Sequence, residues 1–345
     1  MRALRFPTAF AAEVVDVDRP QVVGASDILV QLTACGICAS DVMAYKGTHP
    51  YRVPPVITGH ECAGIVVEIG PKVNSLKPGD RIAIEPHLGC GDCYYCRIGE
   101  YQQCTQKRLI GVGDWIGGFA EFVVVDERMC YPVPADVPLD LATLLEPYNV
   151  GLHAVRRAAI RPDETVGVVG CGTIGLMTIM AASTSELSRM YVTDVSETKL
   201  QTALEIGATA AFNPNTTDVV AEMLEREAPG LDVVFLAVPL EEAFDQAFRI
   251  CRPQGRVILI ATRGTPAAID THKIQQFERT VIGTAMYNRD DWVLSVGHLS
   301  GADRWKFERL ITNRIALDQA AKVIDDLAHN RRLEDIKNVI LYAGG

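Results

Sequence analysis

The middle of the chain alternates short apolar runs with stretches of helical pattern. "TVGVV" from Thr165, "RMYVTD" from Arg189, "DVVFLAVP" from Asp232 and "GRVILIATRG" from Gly255 are apolar runs bounded by turn residues, as expected of strands buried on both faces of a parallel sheet. Between them, "IGLMTIMAAS" and the segment around 240 to 252 read as helices. The pattern predicts a doubly wound α/β domain over 148–285. The flanks differ. In the first 130 residues, "DILVQLTA", "ECAGIVVEIG", "DRIAIEP" and "GGFAEFVVVDE" are short strands broken by turns such as "KPGD", which predicts a β-rich, barrel-like domain. Pro132, Pro134 and Pro138 punctuate a connector into "LATLLEPYNVGLHAV", read as helical. Beyond 286 come helices, with an apolar stripe at 3.6 spacing in "LDQAAKVIDDLAHN", and a last strand, "NVILYA".

Composition narrows the class. At 345 residues and 48% hydrophobic, the chain can bury two cores without covalent staples. A net charge of -10 argues against nucleic acid or an anionic membrane as the main partner. The uncharged run "TVGVVGCGTIGLMTIMAAST" is about long enough to span a bilayer, but its glycines and polar residues favour a strand, a loop and a buried helix. "MRALRFPTAFAAEVVDVDRP" has no apolar run of signal-peptide length, so the expected compartment is the reducing cytoplasm, where closely spaced thiols more often hold a metal than each other.

"GCGDCYYCRIGEYQQC" places Cys90, Cys93, Cys96 and Cys104 in one short loop. Four thiolates at this spacing can surround one tetrahedral zinc ion and leave no position for substrate, which makes the expected site structural. After "TVGVV", Gly170, Gly172 and Gly175 form G-x-G-x-x-G with Thr173 and Ile174 inside it, and the next strand ends in Asp194. That order predicts a dinucleotide site: a pyrophosphate at a helix N-terminus, and Asp194 accepting from the adenosine ribose and repelling a 2′-phosphate, hence NAD over NADP. Lys199 is a second candidate at the ribose. Two further clusters, "CGICASD" with Cys35, Cys38, Ser40 and Asp41, and "GHECAGIVVEIG" with His60 and Glu61, supply the thiolate, imidazole and carboxylate that a catalytic zinc takes. By themselves they also allow a redox Cys-x-x-Cys pair and an ordinary His-Glu dipeptide.

"GHECAGIVVEIG", the four-cysteine lobe and "GCGTIG", in that order, resemble the zinc-containing medium-chain dehydrogenases, the alcohol and polyol dehydrogenase family, over essentially the whole chain. The resemblance implies a GroES-like catalytic domain over 1–147 with a lobe at 88–106, a Rossmann NAD-binding domain over 148–285, a return to the catalytic domain over 286–345, and an active site between the two. It implies Cys38, His60 and Glu61 as catalytic zinc ligands, with Cys35 a buried strand residue. Glu146 in "LLEPYNVGLHA" resembles the Glu-Pro element of sorbitol and related polyol dehydrogenases, as a direct ligand or through water. The implied reaction is oxidation of a secondary alcohol, with Ser40 the first carrier of the released proton and Asp41 orienting His60. Met43 stands where many relatives have a proton-relaying histidine, and His49 is a candidate substitute. His87 matches a histidine of threonine 3-dehydrogenases and is a candidate substrate contact, with Tyr45, Trp115 and Tyr287 as candidate pocket walls.

The expected function is thus zinc- and NAD-dependent oxidation of a polyol or vicinal diol to the ketone, by a homo-oligomer of two or four copies. A threonine-type amino-alcohol dehydrogenase and a catalytically silent zinc-binding scaffold are the alternatives. His153, Cys62, Cys130, Cys171 and Cys251 read as packing residues.

Overall fold

The computed structural model describes residues 1–185, 187–261 and 269–342, which form two units: Met1–Glu146 with Asn288–Gly345, and Pro147–Tyr287. The second unit is built on a six-stranded sheet, parallel throughout, in the order Ala210–Phe212, Arg189–Thr193, Thr165–Val169, Leu231–Leu236, Cys251–Leu259, Thr280–Gly283.

 The order reverses at the central strand Thr165–Val169, which puts the Gly170–Gly175 loop at a topological switch point, the place where open α/β sheets bind ligands. Thr165–Val169 is buried at every position, which is why it reads as a continuous apolar run. The helix after it, Thr173–Ala182, is apolar on all sides because it too is buried, from Gly175 to Ala182.

The first unit is built on a mostly antiparallel sheet in which Lys337–Leu341, Asp27–Ile37, Glu61–Ile69 and Arg81–Ile84 lie side by side. Its core gathers Leu4, Phe6, Ile28, Val30, Leu32, Phe119 and Val123 with Ile324 and Ile340 from the far end of the chain. Helix Leu317–Ala328 presents its apolar stripe to this core.

Two expectations are corrected. The stretch "LATLLEPYNVGLHAV", read as helical, is not helical throughout: it is divided between two helices, Leu139–Ala142 and Leu145–Ala158. Pro147 has no N–H to donate backwards and so belongs in a first turn, while the Thr143 hydroxyl turns back to Asp140 O at 2.6 Å. The run "GRVILIATRG" belongs to a strand that starts earlier, Cys251–Leu259; residues 262–264 lie outside the described residues, as does Ala343 of "NVILYA". Among the described residues no helix is long and apolar enough to cross a membrane.

Candidate metal and dinucleotide sites

Cys38, His60 and Glu61 come together where two neighbouring strands end. Cys38 follows strand Asp27–Ile37 and leads into helix Ala39–Tyr45; Glu61 opens strand Glu61–Ile69, with His60 just before it. One donor atom from each lies within 4.8 Å of the others. A thiolate, an imidazole and a carboxylate in such a cluster match the donor chemistry of a catalytic zinc, and fewer than four committed protein donors leave room for a reacting group.

The surroundings hold the donors in place. Asp41 accepts from Cys38 N at 2.9 Å through Oδ2, and from Thr58 Oγ1 at 2.7 Å and Gly59 N at 3.2 Å through Oδ1. The same Oδ1 lies 3.5 Å from His60 Nδ1, which leaves Nε2 as the ligand atom. Burial alone would raise the Asp41 carboxyl, but His60, Arg52 and the Cys38 amide together hold it well below the usual range. Glu61 is held by a residue that the sequence reading missed. Lys337 Nζ donates to both its oxygens, at 2.7 and 2.8 Å, and to Ile37 O at 3.2 Å. Burial would lower the Lys337 ammonium; Glu61 and Cys38 outweigh it and keep the group charged. Gly36, opposite Glu61 in the register, makes the pairing possible, because a Cβ there would collide with Glu61 Oε2.

In the lobe, Cys90, Cys93, Cys96 and Cys104 also bring their sulfurs within 4.8 Å of one another, with Cys90 and Cys96 Sγ 3.9 Å apart. Four sulfurs about 2.3 Å from a tetrahedral zinc would be separated by roughly 3.8 Å, so the cage fits that ion. Tyr94, Tyr95 and Ile98 are exposed, so the lobe has little apolar core of its own. Gly89 is required because a Cβ would come within 2.8 Å of Cys96 Sγ.

The glycines after Thr165–Val169 serve distinct purposes. Gly170 adopts φ +97°, and a Cβ on Gly175 would collide with Gly170 O; at Gly172, which caps helix Thr173–Ala182, a Cβ would meet no protein atom within 4 Å. Open space over an amide-bearing helix start suits a pyrophosphate. Thr173 and Ile174 form the first turn. Asp194 reaches back to this loop: Oδ2 accepts from Cys171 N at 2.6 Å, and Oδ1 from Ser196 N at 2.9 Å. Lys199 lies in the first turn of helix Glu197–Ile206, its N–H donated to Ser196 Oγ at 3.2 Å.

The remaining candidates separate. Ser40 Oγ accepts from Arg52 Nη1 at 3.1 Å. His49 Nδ1 accepts from Arg52 N at 3.0 Å, and burial, followed by the Arg52 charge, pushes its pKa down to about 4. Glu146 is buried and acts electrostatically on Lys337, but lies outside the three-donor cluster. His87 is buried with Nε2 3.3 Å from Glu85 Oε1, against a cavity of about 280 Å³ also lined by Tyr101, Arg128 and Arg289. Glu85, another residue missed in the sequence, accepts from Tyr131 at 2.7 Å and Tyr101 at 2.8 Å. Two expected pocket walls are structural instead. Tyr45 packs edge-on against Phe6 and Phe10 and donates its hydroxyl to Asp325 at 2.9 Å; Trp115 donates Nε1 to Val124 O at 2.8 Å beneath Arg108. Tyr287 is fully buried.

Comparison with known proteins identifies the family. The family model "Alcohol dehydrogenase GroES-like domain" matches residues 24–135, and "Zinc-binding dehydrogenase" matches 173–300. L-idonate 5-dehydrogenase of Vitis vinifera is 32% identical over 86% of this chain and 82% of that protein. Sorbitol dehydrogenase of Arabidopsis thaliana is 33% identical over 88% and 85%. Among solved structures, a putative zinc-binding dehydrogenase from Sinorhizobium meliloti 1021 bound to NADP superposes with a TM-score of 0.89 at 31% identity, covering 99% of both chains.

Proposed function

The chain belongs to the zinc-binding dehydrogenases with a GroES-like alcohol dehydrogenase domain, and from that premise we propose that it oxidises a secondary alcohol on a polyol or vicinal diol to the ketone, with NAD as hydride acceptor. The observation that carries the reading is the cluster of Cys38, His60 and Glu61 within 4.8 Å, backed by Asp41 and Lys337. These three would hold the catalytic zinc, and Cys90, Cys93, Cys96 and Cys104 the structural one. When bound, the catalytic ion supplies Lewis acidity that lowers the pKa of a hydroxyl.

The chain's own residues supply the rest. Asp41 fixes the tautomer and orientation of His60, and Lys337 neutralises Glu61 so that the buried donor set does not accumulate negative charge. Ser40 takes the released proton: the Arg52 donor occupies one lone pair of its oxygen, which leaves the other to accept from the reacting hydroxyl and the Ser40 hydrogen to be passed on. Glu146 acts through the field at Lys337 and through water. Gly170, Gly172 and Gly175 receive the pyrophosphate, and Asp194, with Lys199 beside it, the adenosine ribose, in favour of NAD. Relatives named for sorbitol and L-idonate support a substrate with adjacent hydroxyls. The edge strand Thr280–Gly283 supports a homo-oligomer, and thiol-rich metal sites support the cytoplasm.

The test is initial-rate NADH production by zinc-loaded protein with a stereodefined panel of polyols, vicinal diols, simple secondary alcohols and L-threonine. A polyol or diol should lead. L-threonine in the lead would replace the substrate class, and silence across the panel and across the corresponding polyhydroxy acids and phosphorylated polyols would defeat the reading.

A further inference from the structure

Arg52 is a cation that the fold buries and, among the described residues, leaves without an ion pair. The residue is 4% exposed. Nη1 donates to the neutral Ser40 Oγ at 3.1 Å, the guanidinium carbon lies 6.0 Å from the Tyr51 ring centroid, and Nε is buried with no hydrogen-bond partner. Among the described residues Arg52 forms no ion pair. A guanidinium does not escape this cost by losing its proton, and an unpaired buried charge typically costs several kcal/mol.

The nearby acids are already engaged. Asp41 divides its oxygens among Cys38 N, Thr58 Oγ1, Gly59 N and His60, and both oxygens of Glu61 face Lys337. The place of Arg52 is also specific. It bonds Ser40, two residues beyond Cys38, and its charge reaches both His60 and Asp41.

We infer that Arg52 is the receptor for an anionic group on the substrate: the secondary alcohol oxidised at this centre carries a carboxylate or a phosphate monoester that pairs with its guanidinium. The inference rests on the dehydrogenase reading above and deepens it, replacing a neutral polyol by a polyhydroxy acid or a phosphorylated polyol. Planar charge-assisted pairing of this kind is what a guanidinium provides and a lysine ammonium does not.

The test compares matched pairs in which only the anion differs: D-gluconate and sorbitol 6-phosphate, each against D-sorbitol, with the corresponding galactitol series to control for configuration. The zinc-loaded wild type should favour one anionic member over its neutral partner by at least about tenfold in kcat/KM, and the better arm tells carboxylate from phosphate. Arg52→Met should lower kcat/KM for that anion by about 10- to 100-fold and bring the ratio toward one, while Arg52→Lys restores part of it. Equal or better turnover of the neutral partners would overturn the proposal, as would an Arg52→Met variant whose defect is a raised KM for NAD with the ratio unchanged, which would assign Arg52 to the cofactor diphosphate. Calorimetric titration of inorganic phosphate and D-gluconate into the NADH-bound enzyme separates the two readings: binding lost in Arg52→Met upholds the anion receptor even if no alcohol is oxidised, and no binding of either probe to wild type overturns it. Thermal unfolding of both variants shows whether they are folded.

Discussion

The lobe takes its four thiols from the consecutive stretch Cys90 to Cys104, whereas Cys38, His60 and Glu61 are joined across two strands and depend on Lys337 from the far end of the chain. In the lobe, side chains such as Tyr94 and Ile98 remain exposed, and nothing but a metal can serve as its core. Around Cys38 the situation is reversed: the sheet packs first, through Cys35, Cys62 and Ile84, and presents donors whose charges are already balanced. One metal would make structure, and the other would be held by structure that exists without it.

Breaking the lobe should have the largest effect. Cys93→Ser removes one of four thiolates, and with it an ordering free energy on the order of 10 kcal/mol for the loop. Zinc content should fall from two ions to one per chain, with new proteolytic cleavage between 94 and 103. Two retained ions and an unchanged digest would mean that the lobe orders without its cage.

At the other cluster the corresponding break is Lys337→Met, which in the zinc-free protein leaves Glu61 buried and unpaired. The expected loss is about 3–5 kcal/mol in denaturant unfolding. Adding Glu61→Gln should restore most of that stability, because the uncompensated charge goes with it, while leaving activity low. A single variant as stable as wild type would show that the pair contributes little to the fold.

Glu85 sharpens the contrast from one strand away. Cys62 pairs with Ile84, so Glu61 and Glu85 stand at adjacent strand ends, yet Glu85 takes its hydrogen bonds from the neutral hydroxyls of Tyr101 and Tyr131 where Glu61 takes them from an ammonium. Burial therefore dominates and pushes its pKa from 4.5 up to about 8, against the hydrogen bonds of Tyr131 and Tyr101. The folded chain then holds a proton that the unfolded chain releases, and this group's contribution to stability falls as pH rises from 4.5 through 8. Glu85→Gln keeps an acceptor for the tyrosines and removes the titration. It should gain about 1–3 kcal/mol on wild type between pH 5 and 8, read as a flatter profile of Tm against pH; parallel profiles would place the Glu85 pKa in the ordinary range.

How much of this was legible in the sequence follows the distance between partners. The lobe and the glycine loop are local, and their spacings carry the chemistry. Cys38 and His60 were found by residue type and order. Lys337 was not, because its partner lies 276 residues away and only strand pairing brings it across Gly36. Glu85 and Arg52 escaped for a related reason: a charged residue in a strand end or a loop reads as solvated until packing removes the water. Tyr45 and Trp115 were placed by proximity to motifs; packing puts Tyr45 in the core, and Trp115, partly buried against that core, is tied to Val124 O.

Asp194 lies between the two extremes, and its substitution should have the smallest effect of the four. Its partner loop is only 23 residues back, as local as the lobe, yet both oxygens are already in use, one by Cys171 N and one by Ser196 N. A carboxylate oxygen has a second lone pair, so these bonds leave acceptor capacity for a ribose hydroxyl, and the negative charge still repels a 2′-phosphate. Asp194→Ser should therefore shift the ratio of kcat/KM for NAD over NADP by about tenfold, near 1.4 kcal/mol, chiefly through a higher KM for NAD. The S. meliloti relative bound to NADP makes the measurement informative in both directions. If the ratio stays fixed while both KM values rise, Asp194 holds the glycine loop in shape and cofactor choice lies elsewhere. The dinucleotide site would then resemble the Cys38 cluster, where the residues that decide the chemistry are those that position the ones making contact.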